Sequence, residues 1–274
     1  MRTLAPFGRR PALVTACEAV GAYRLVTVAD RHGPARPDPG QFYMLATQAD
    51  WGGDEGRPYL PRAFSFCRSE PIADGEGGAW LSFLIDVVGP GSRRLAALEP
   101  GAQMLLTGPL GAGFARGQGR PLLVGGGIGV APLVALQARL GHEAHTLLGF
   151  RSAEHAQAAR LFDVPDAPDA IVASDDGSVG RRALVTELLR EELDRDATVT
   201  VHACGPEPML EAVRALCAER GVAAQLALEA GMACGFGACF GCVVATESGL
   251  VRLCVEGPVL DAAILAGPLD GVAA

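Results

Sequence analysis

Over the first 115 residues, short apolar runs alternate with stretches rich in Gly and Pro. The runs at 12–16, 23–29, 41–47, 63–67 and 80–88 have strand length and are bounded by turn residues. Residues 31–40 hold three prolines, and 51–61 is a second Gly/Pro loop. Several short strands at this spacing predict a small antiparallel β-barrel. One helix fits 92–98, stopped by Pro100 and Gly101.

The middle third changes period. Strands are expected at 121–124, 145–150, 170–174 and 198–203, and helices at 131–140, 182–193 and 207–220. Strands alternating with helices predict βαβ units and a parallel sheet, which binds ligands at the carboxyl ends of its strands. Residues 225–258 are compact and rich in Cys and Gly, and a tail of Ala, Leu and Gly follows. The expected division is a β domain over 1–117, an α/β domain over 118–224 and a small C-terminal domain over 225–274. The fold class is therefore β plus α/β.

Composition narrows the chemistry. All 23 basic residues are Arg, so Schiff-base catalysis and lysine-dependent phosphate loops are excluded. Anions must be held by Arg, backbone N–H groups or helix N-termini. The net charge of −8, with no basic stripe, argues against nucleic acid. No apolar run reaches the roughly 18 residues a membrane span needs, and no signal-like stretch follows the basic start. A cytoplasmic chain is expected, its eight Cys metal-binding, catalytic or buried.

Four of those cysteines form a pattern. Cys234, Cys239, Cys242 and Cys254 are spaced C-x4-C-x2-C-x11-C, and the first three match plant-type [2Fe–2S] spacing. Gly235, Gly237 and Gly241 would let backbone N–H groups wrap close to sulfide. Zinc is the bland alternative, but it favours paired C-x2-C hairpins and only one occurs here. Cys17, Cys67 and Cys217 read as small buried hydrophobes.

Two strand-to-helix turns look suited to a nucleotide. Gly127-Ile-Gly129-Val-Ala-Pro132 reads G-x-G-x-x-P between a strand and a helix, so Gly127 and Gly129 would admit a pyrophosphate. A packing turn is the alternative. Cys204-Gly205-Pro206 ends the fourth of these strands in the same way. In the β domain, Arg62 sits in the apolar strand Arg62-Ala63-Phe64-Ser65 and needs an anion or a carboxylate. Gly91 and Ser92 open a helix that could seat a phosphate. His142, His145 and His155 read as surface residues, and no acid–base pair stands out. Arg151, after the second strand of the α/β domain, would suit a 2′-phosphate.

Taken in order, Arg-x-Phe-Ser, Gly-x-Gly-Ser, Gly-Pro-Leu-Gly-Ala-Gly-Phe at 108–114, Gly-Gly-Gly-Ile-Gly-Val-Ala-Pro and Cys-Gly-Pro resemble the ferredoxin–NADP reductase superfamily. The cysteine run from Met232, with Cys254-Val-Glu-Gly-Pro-Val, resembles the electron-transfer subunits of type B, NAD-linked dihydroorotate dehydrogenase. The resemblance covers about 10–262. It implies a flavin-binding barrel, a nucleotide-binding domain and a [2Fe–2S] domain, with FAD, the cluster and NAD as cofactors. Arg62, Ala63, Phe64 and Ser65 would hold FAD, Leu84, Ile85 and Asp86 would line the flavin, and Gly91 and Ser92 would bind its pyrophosphate. An acid beside a phosphate is unfavourable, so Asp86 is expected to face away from one. Gly127, Gly129, Cys204, Gly205 and Pro206 would place the nicotinamide nucleotide, and the four cysteines would hold the cluster. The implied partner is an FMN-containing catalytic subunit that oxidises dihydroorotate in pyrimidine biosynthesis, in a heterotetramer. The alternatives are an NAD(P)H reductase serving another partner and a non-enzymatic iron–sulfur redox sensor.

Overall fold

The computed structural model describes residues 8–52, 58–73 and 77–269. The start of the basic N-terminus, part of the 51–61 loop and the end of the tail lie outside the described residues. The first half comprises β1 (Arg10–Val20), β2 (Tyr23–Asp30), β3 (Phe42–Thr47), β4 (Arg62–Ser65), β5 (Arg68–Pro71), β6 (Ala79–Ile85), α1 (Pro90–Ala96) and β7 (Gln103–Leu110). These strands make one antiparallel sheet in the order β4-β3-β7-β1-β2-β6-β5. It curls around Tyr43, Leu45, Phe66, Leu81, Phe83 and Leu106. Tyr43 meets Phe66 and Phe83 edge-on, with ring centres 6.3 and 5.6 Å apart. Each such ring taken out of water contributes about 1.5–3 kcal/mol. β5, whose sequence Arg-Ser-Glu-Pro carries no apolar run, forms as an edge strand paired only to β6.

The second half comprises β8 (Arg120–Gly126), a 3₁₀ turn at Gly127–Gly129, α2 (Val130–Leu140), β9 (His145–Phe150), α3 (Ala153–Ala156), β10 (Ile171–Ser174), β11 (Arg181–Arg182), α4 (Val185–Arg195), β12 (Val199–Cys204), α5 (Glu207–Arg220) and β13 (Ala223–Ala227). Then come β14 (Val243–Thr246), β15 (Gly249–Arg252) and β16 (Val259–Asp261). The second sheet runs β11-β10-β9-β8-β12-β13-β16, parallel throughout except where β16 pairs antiparallel to β13. All six residues of β12 are buried, as expected of a parallel strand covered on both faces. Strand order reverses direction at β8, with β9 on one side and β12 on the other, so a crevice opens at their carboxyl ends.

α2 joins the halves. Its residues 130–137 are all buried. Val130, Ala131 and Val134 share an apolar cluster with Val20, Tyr23, Leu25 and Leu84 of the curled sheet. Tertiary packing therefore holds a helix whose valines and proline give it modest intrinsic propensity. α5 ends on Gly221 in the left-handed conformation, φ +65°, with its N–H returned to Cys217 and Ala218. β13 runs across the 224/225 division, and its neighbour β16 arrives from beyond the cysteine region. No helix among the described residues is long and apolar enough to cross a membrane.

Candidate functional site

Two clefts meet at the junction of the halves. The first, about 440 Å³, has the β4 residues Arg62–Ser65 on one wall, with Leu84 and Asp86 beside them. Gly91 and Ser92 close one end, and Gly129 and Cys204 line the opposite wall. Ten of the residues expected at a cofactor thus gather on one cavity. Arg62 packs over Gly91: a Cβ there would lie 2.8 Å from the Arg62 Nε. Ser92 Oγ accepts from the N–H groups of Val88 and Gly89, at 3.0 and 3.1 Å, and fixes the turn into α1. Ile85 departs from expectation. Its side chain is fully buried in the sheet core, because successive strand residues face opposite sides, so only its backbone can serve the cleft.

The second cleft, about 420 Å³, begins at Gly126 and Gly127 and takes in Pro206 and Met209. Gly127 adopts φ +53°. Gly129 and Gly205 bring the two turns together, since a Cβ at 129 would lie 2.6 Å from the Gly205 Cα. Gly205 itself faces a smaller cavity behind. Asp86 stands on the ridge between the clefts and lines both. Tyr23 lines the second cleft, and burial, then the Asp86 carboxylate, push its phenol up to about 12 against the opposing Arg151 charge. His155, expected at the surface, is half-buried, stacked edge-on against Tyr23 at 5.6 Å and open to the same cleft.

Burial, and then Glu229, raise the Cys204 thiol well above its ordinary range, so it stays neutral. Glu229 lies open to the first cleft and the small cavity behind it, yet the protein around its carboxylate desolvates it enough to raise its pKa. Sequence reading missed Glu229, Tyr23 and Asp175, because they stand outside any glycine or cysteine motif and only the fold brings them to the clefts.

The four cysteines come together in two pairs. Hydrogen bonding links Cys234 to Cys239, and the Cys254 N–H donates to the Cys242 sulfur at 3.5 Å. Burial alone would raise Cys234, but hydrogen bonds from the backbone of Cys239, Phe236 and Ala238 and from the Cys239 thiol lower it to about 6. Cys254 is pushed up to about 12 by burial and by its Cys242 partner. Two thiols for each of two irons is the donor set a [2Fe–2S] cluster takes. Among the described residues no three His, Cys, Asp or Glu side chains gather as around one ion. The two cysteine pairs fit the two-iron group.

The glycines of the loop differ. Gly235 and Gly237 have φ +76° and +90°, and a Cβ on either would lie 2.6 Å from Met44 or Val255. Gly241 has neither constraint: its Cβ would lie 3.6 Å from the Cys239 sulfur, an ordinary contact.

Residues 229–266 match the family described as the iron–sulfur cluster binding domain of dihydroorotate dehydrogenase B. The chain is 34% identical over 230 residues to the dihydroorotate dehydrogenase B (NAD(+)) electron transfer subunit of Caldanaerobacter subterraneus, covering 82% of this chain and 85% of that one. It is 40% identical over 236 residues to the subunit of the same name from Shouchella clausii, covering 81% and 83%. Among solved structures, an NADH-dependent reduced ferredoxin-NADP oxidoreductase superposes with TM-score 0.76 at 22% identity, over 95% of this chain and 91% of that one. A ferredoxin reductase of carbazole 1,9a-dioxygenase superposes with TM-score 0.64 at 24% identity, over 78% and 66%. The two superpositions bear on fold alone.

Proposed function

The chain belongs to the family of electron-transfer subunits of NAD-linked type B dihydroorotate dehydrogenases, and from that premise we propose that it links a [2Fe–2S] cluster on its four paired cysteines, an FAD in the first cleft and NAD+ in the second. One observation carries this order. Ala230 and Met232, just ahead of Cys234, line the same cleft as Arg62–Ser65 and Cys204, so the segment that leads into the cysteine loop borders that cleft. Bound there, the cluster would pass single electrons, and the flavin would store two and release them together as a hydride.

The chain's own part is positional. Arg62 offers the charge for a pyrophosphate beside Gly91 and Ser92. Leu84 and Phe64 give an apolar wall for a flat ring. The neutral Cys204 thiol adds no charge to the opposite wall. Asp86 and Ile128 line both clefts, so the two touch there, which is where a nicotinamide would approach a flavin. Hydride transfer itself needs no acid or base from these walls. The electron donor is a catalytic subunit carrying FMN that oxidises dihydroorotate to orotate for pyrimidine synthesis, paired in a heterotetramer of two subunits of each kind.

The test is optical. The chain, purified without oxygen, is scanned before and after addition of NADH. Bleaching of both flavin and iron–sulfur bands is expected. A coloured protein indifferent to NADH overturns the carrier order, and a colourless one overturns the cofactor assignment.

A further inference from the structure

β6 ends at Ile85, and Asp86 is the first residue beyond it. Asp86 lines both clefts. It shares a face of the chain with Leu84, as residues two apart in an extended segment do. Resting on the flavin and nucleotide reading above, we infer that the Asp86 carboxylate tilts the flavin–nicotinamide pair towards reduction of NAD+. Its charge favours the cationic ring of NAD+ over the neutral ring of NADH, and it disfavours negative charge on a reduced flavin.

That carboxylate is left unneutralised. Asp86 is half-buried, and among the described residues no hydrogen bond or ion pair engages its side chain. The Val88 N–H donates to the Asp86 carbonyl at 3.2 Å, which fixes the backbone and leaves the side chain untouched. Ile128, which also lines both clefts, is apolar, and Leu84 packs into one cluster with Val130 and Ala131. A charge against such walls is felt more strongly than in open water. It already reaches into the second cleft, where it helps burial push up the Tyr23 phenol against the pull of Arg151.

The other charges of the clefts do not cancel it. Arg151 lines the second cleft together with Asp175, whose N–H donates to the Phe150 carbonyl at 2.9 Å, so an acid stands next to that base. In the first cleft Arg62 leans over Gly91 at the α1 end and donates to the Leu60 carbonyl at 2.5 Å. Burial favours the neutral form of Glu229 on the same cleft. Hydride transfer carries one proton and two electrons from flavin to nicotinamide. The flavin thereby sheds one negative charge and the nicotinamide loses its positive one. A carboxylate where the clefts touch opposes the first charge and supports the second. It lowers the flavin's hold on electrons, draws in the oxidised nucleotide and eases release of the reduced one.

The experiment uses the full chain loaded with FAD and cluster, and makes two measurements. Flavin absorbance is followed in a potential titration without nucleotide. NAD+ is compared by calorimetry with tetrahydro-NAD, whose neutral ring cannot give up a hydride. Asp86→Asn is expected to raise the flavin midpoint by about 30 mV, which is about tenfold in the reduced-to-oxidised ratio of a two-electron couple. Its affinity for NAD+ relative to tetrahydro-NAD is expected to fall about tenfold, the scale of one unit charge felt across a half-buried cleft. Asp86→Glu keeps the charge and should keep both values near wild type. A midpoint or an affinity ratio that stays put in Asp86→Asn, or moves the other way, overturns the inference. So does an Asp86→Glu variant that behaves like Asp86→Asn. A purely structural role would weaken both nucleotides alike and leave their ratio unchanged. Wild type that takes up no flavin, or binds neither compound, overturns the reading of the clefts and the inference with it, a failure seen in wild type alone.

Discussion

Arg252 holds its guanidinium 5.1 Å from the centre of the Phe240 ring while donating to the Gly237 carbonyl at 3.2 Å. Phe240 sits at φ +56°, a conformation that bulky residues rarely adopt. The contact lies between Cys239 and Cys242, so Arg252 braces the part of the loop that must stay open to hold sulfur. Glu256 steadies it in turn at 2.7 Å. Replacing Arg252 with Leu is expected to lower cluster occupancy while the rest of the chain stays folded. Iron and acid-labile sulfide per chain, measured after a chelator challenge, report it. Occupancy equal to wild type would show that the loop holds itself.

The glycines of the site should separate cleanly. Gly129→Ala places a Cβ 2.6 Å from the backbone of Gly205, which cannot give way without moving the Cys204 turn. A rise in the KM for NADH with a stability loss of about 1–3 kcal/mol is expected. Gly241→Ala meets only an ordinary contact and should change neither cluster content nor stability. Equal effects of the two would contradict the geometry.

Arg10 and Asp30 form a buried pair at 2.5 Å between β1 and β2. Asp30→Ala strands a buried guanidinium, so a loss of about 3–5 kcal/mol is expected in urea unfolding. Nearby, the Tyr43 hydroxyl is buried without a hydrogen-bond partner among the described residues. Tyr43→Phe should therefore be neutral or stabilising by up to about 1 kcal/mol, and a large loss would reveal a buried water bound there.

His202 supplies a pH dependence. Burial depresses its pKa below the ordinary 6.5, and its Nε2 lies 2.9 Å from the Ala115 carbonyl. A depressed folded-state pKa means the unfolded chain binds the proton more readily. Stability is thus complete above about 6.5 and declines as pH falls from there towards the folded value. Urea midpoints at pH 7.5 and pH 5.5 should differ less in His202→Gln than in wild type. An identical slope would place the acid sensitivity elsewhere.

Sequence pattern was a good guide wherever one residue type carried the message. The G-x-G-x-x-P turn and Arg62 each marked a stretch that the fold brings to a cleft, and the cysteine spacing one that it brings together in two pairs. Polar β5 carried no such message, because an edge strand needs only a neighbour to pair with. The side of Ile85 was there to be read, since positions 81, 83, 85 and 87 are all apolar whereas Ser82 and Asp86 mark the other face of the strand. Asp175 and Arg151 are 24 residues apart and meet only because β9 and β10 pair in parallel, a register that composition does not contain.

Residues 228–258 leave the sheet at β13 and come back to it at β16, its immediate neighbour. On the way back, the Ala112 N–H donates to the Gly257 carbonyl at 2.5 Å and the Leu228 N–H to the Pro258 carbonyl at 2.9 Å. The cysteine region is therefore an insertion between two adjoining strands rather than an appendage. Cutting the chain at 224/225 would break β13 and strip off its edge partner. Anyone transplanting this electron carrier into another reductase should move it as a loop between strands, with both ends stitched, and not as a domain fused to a terminus.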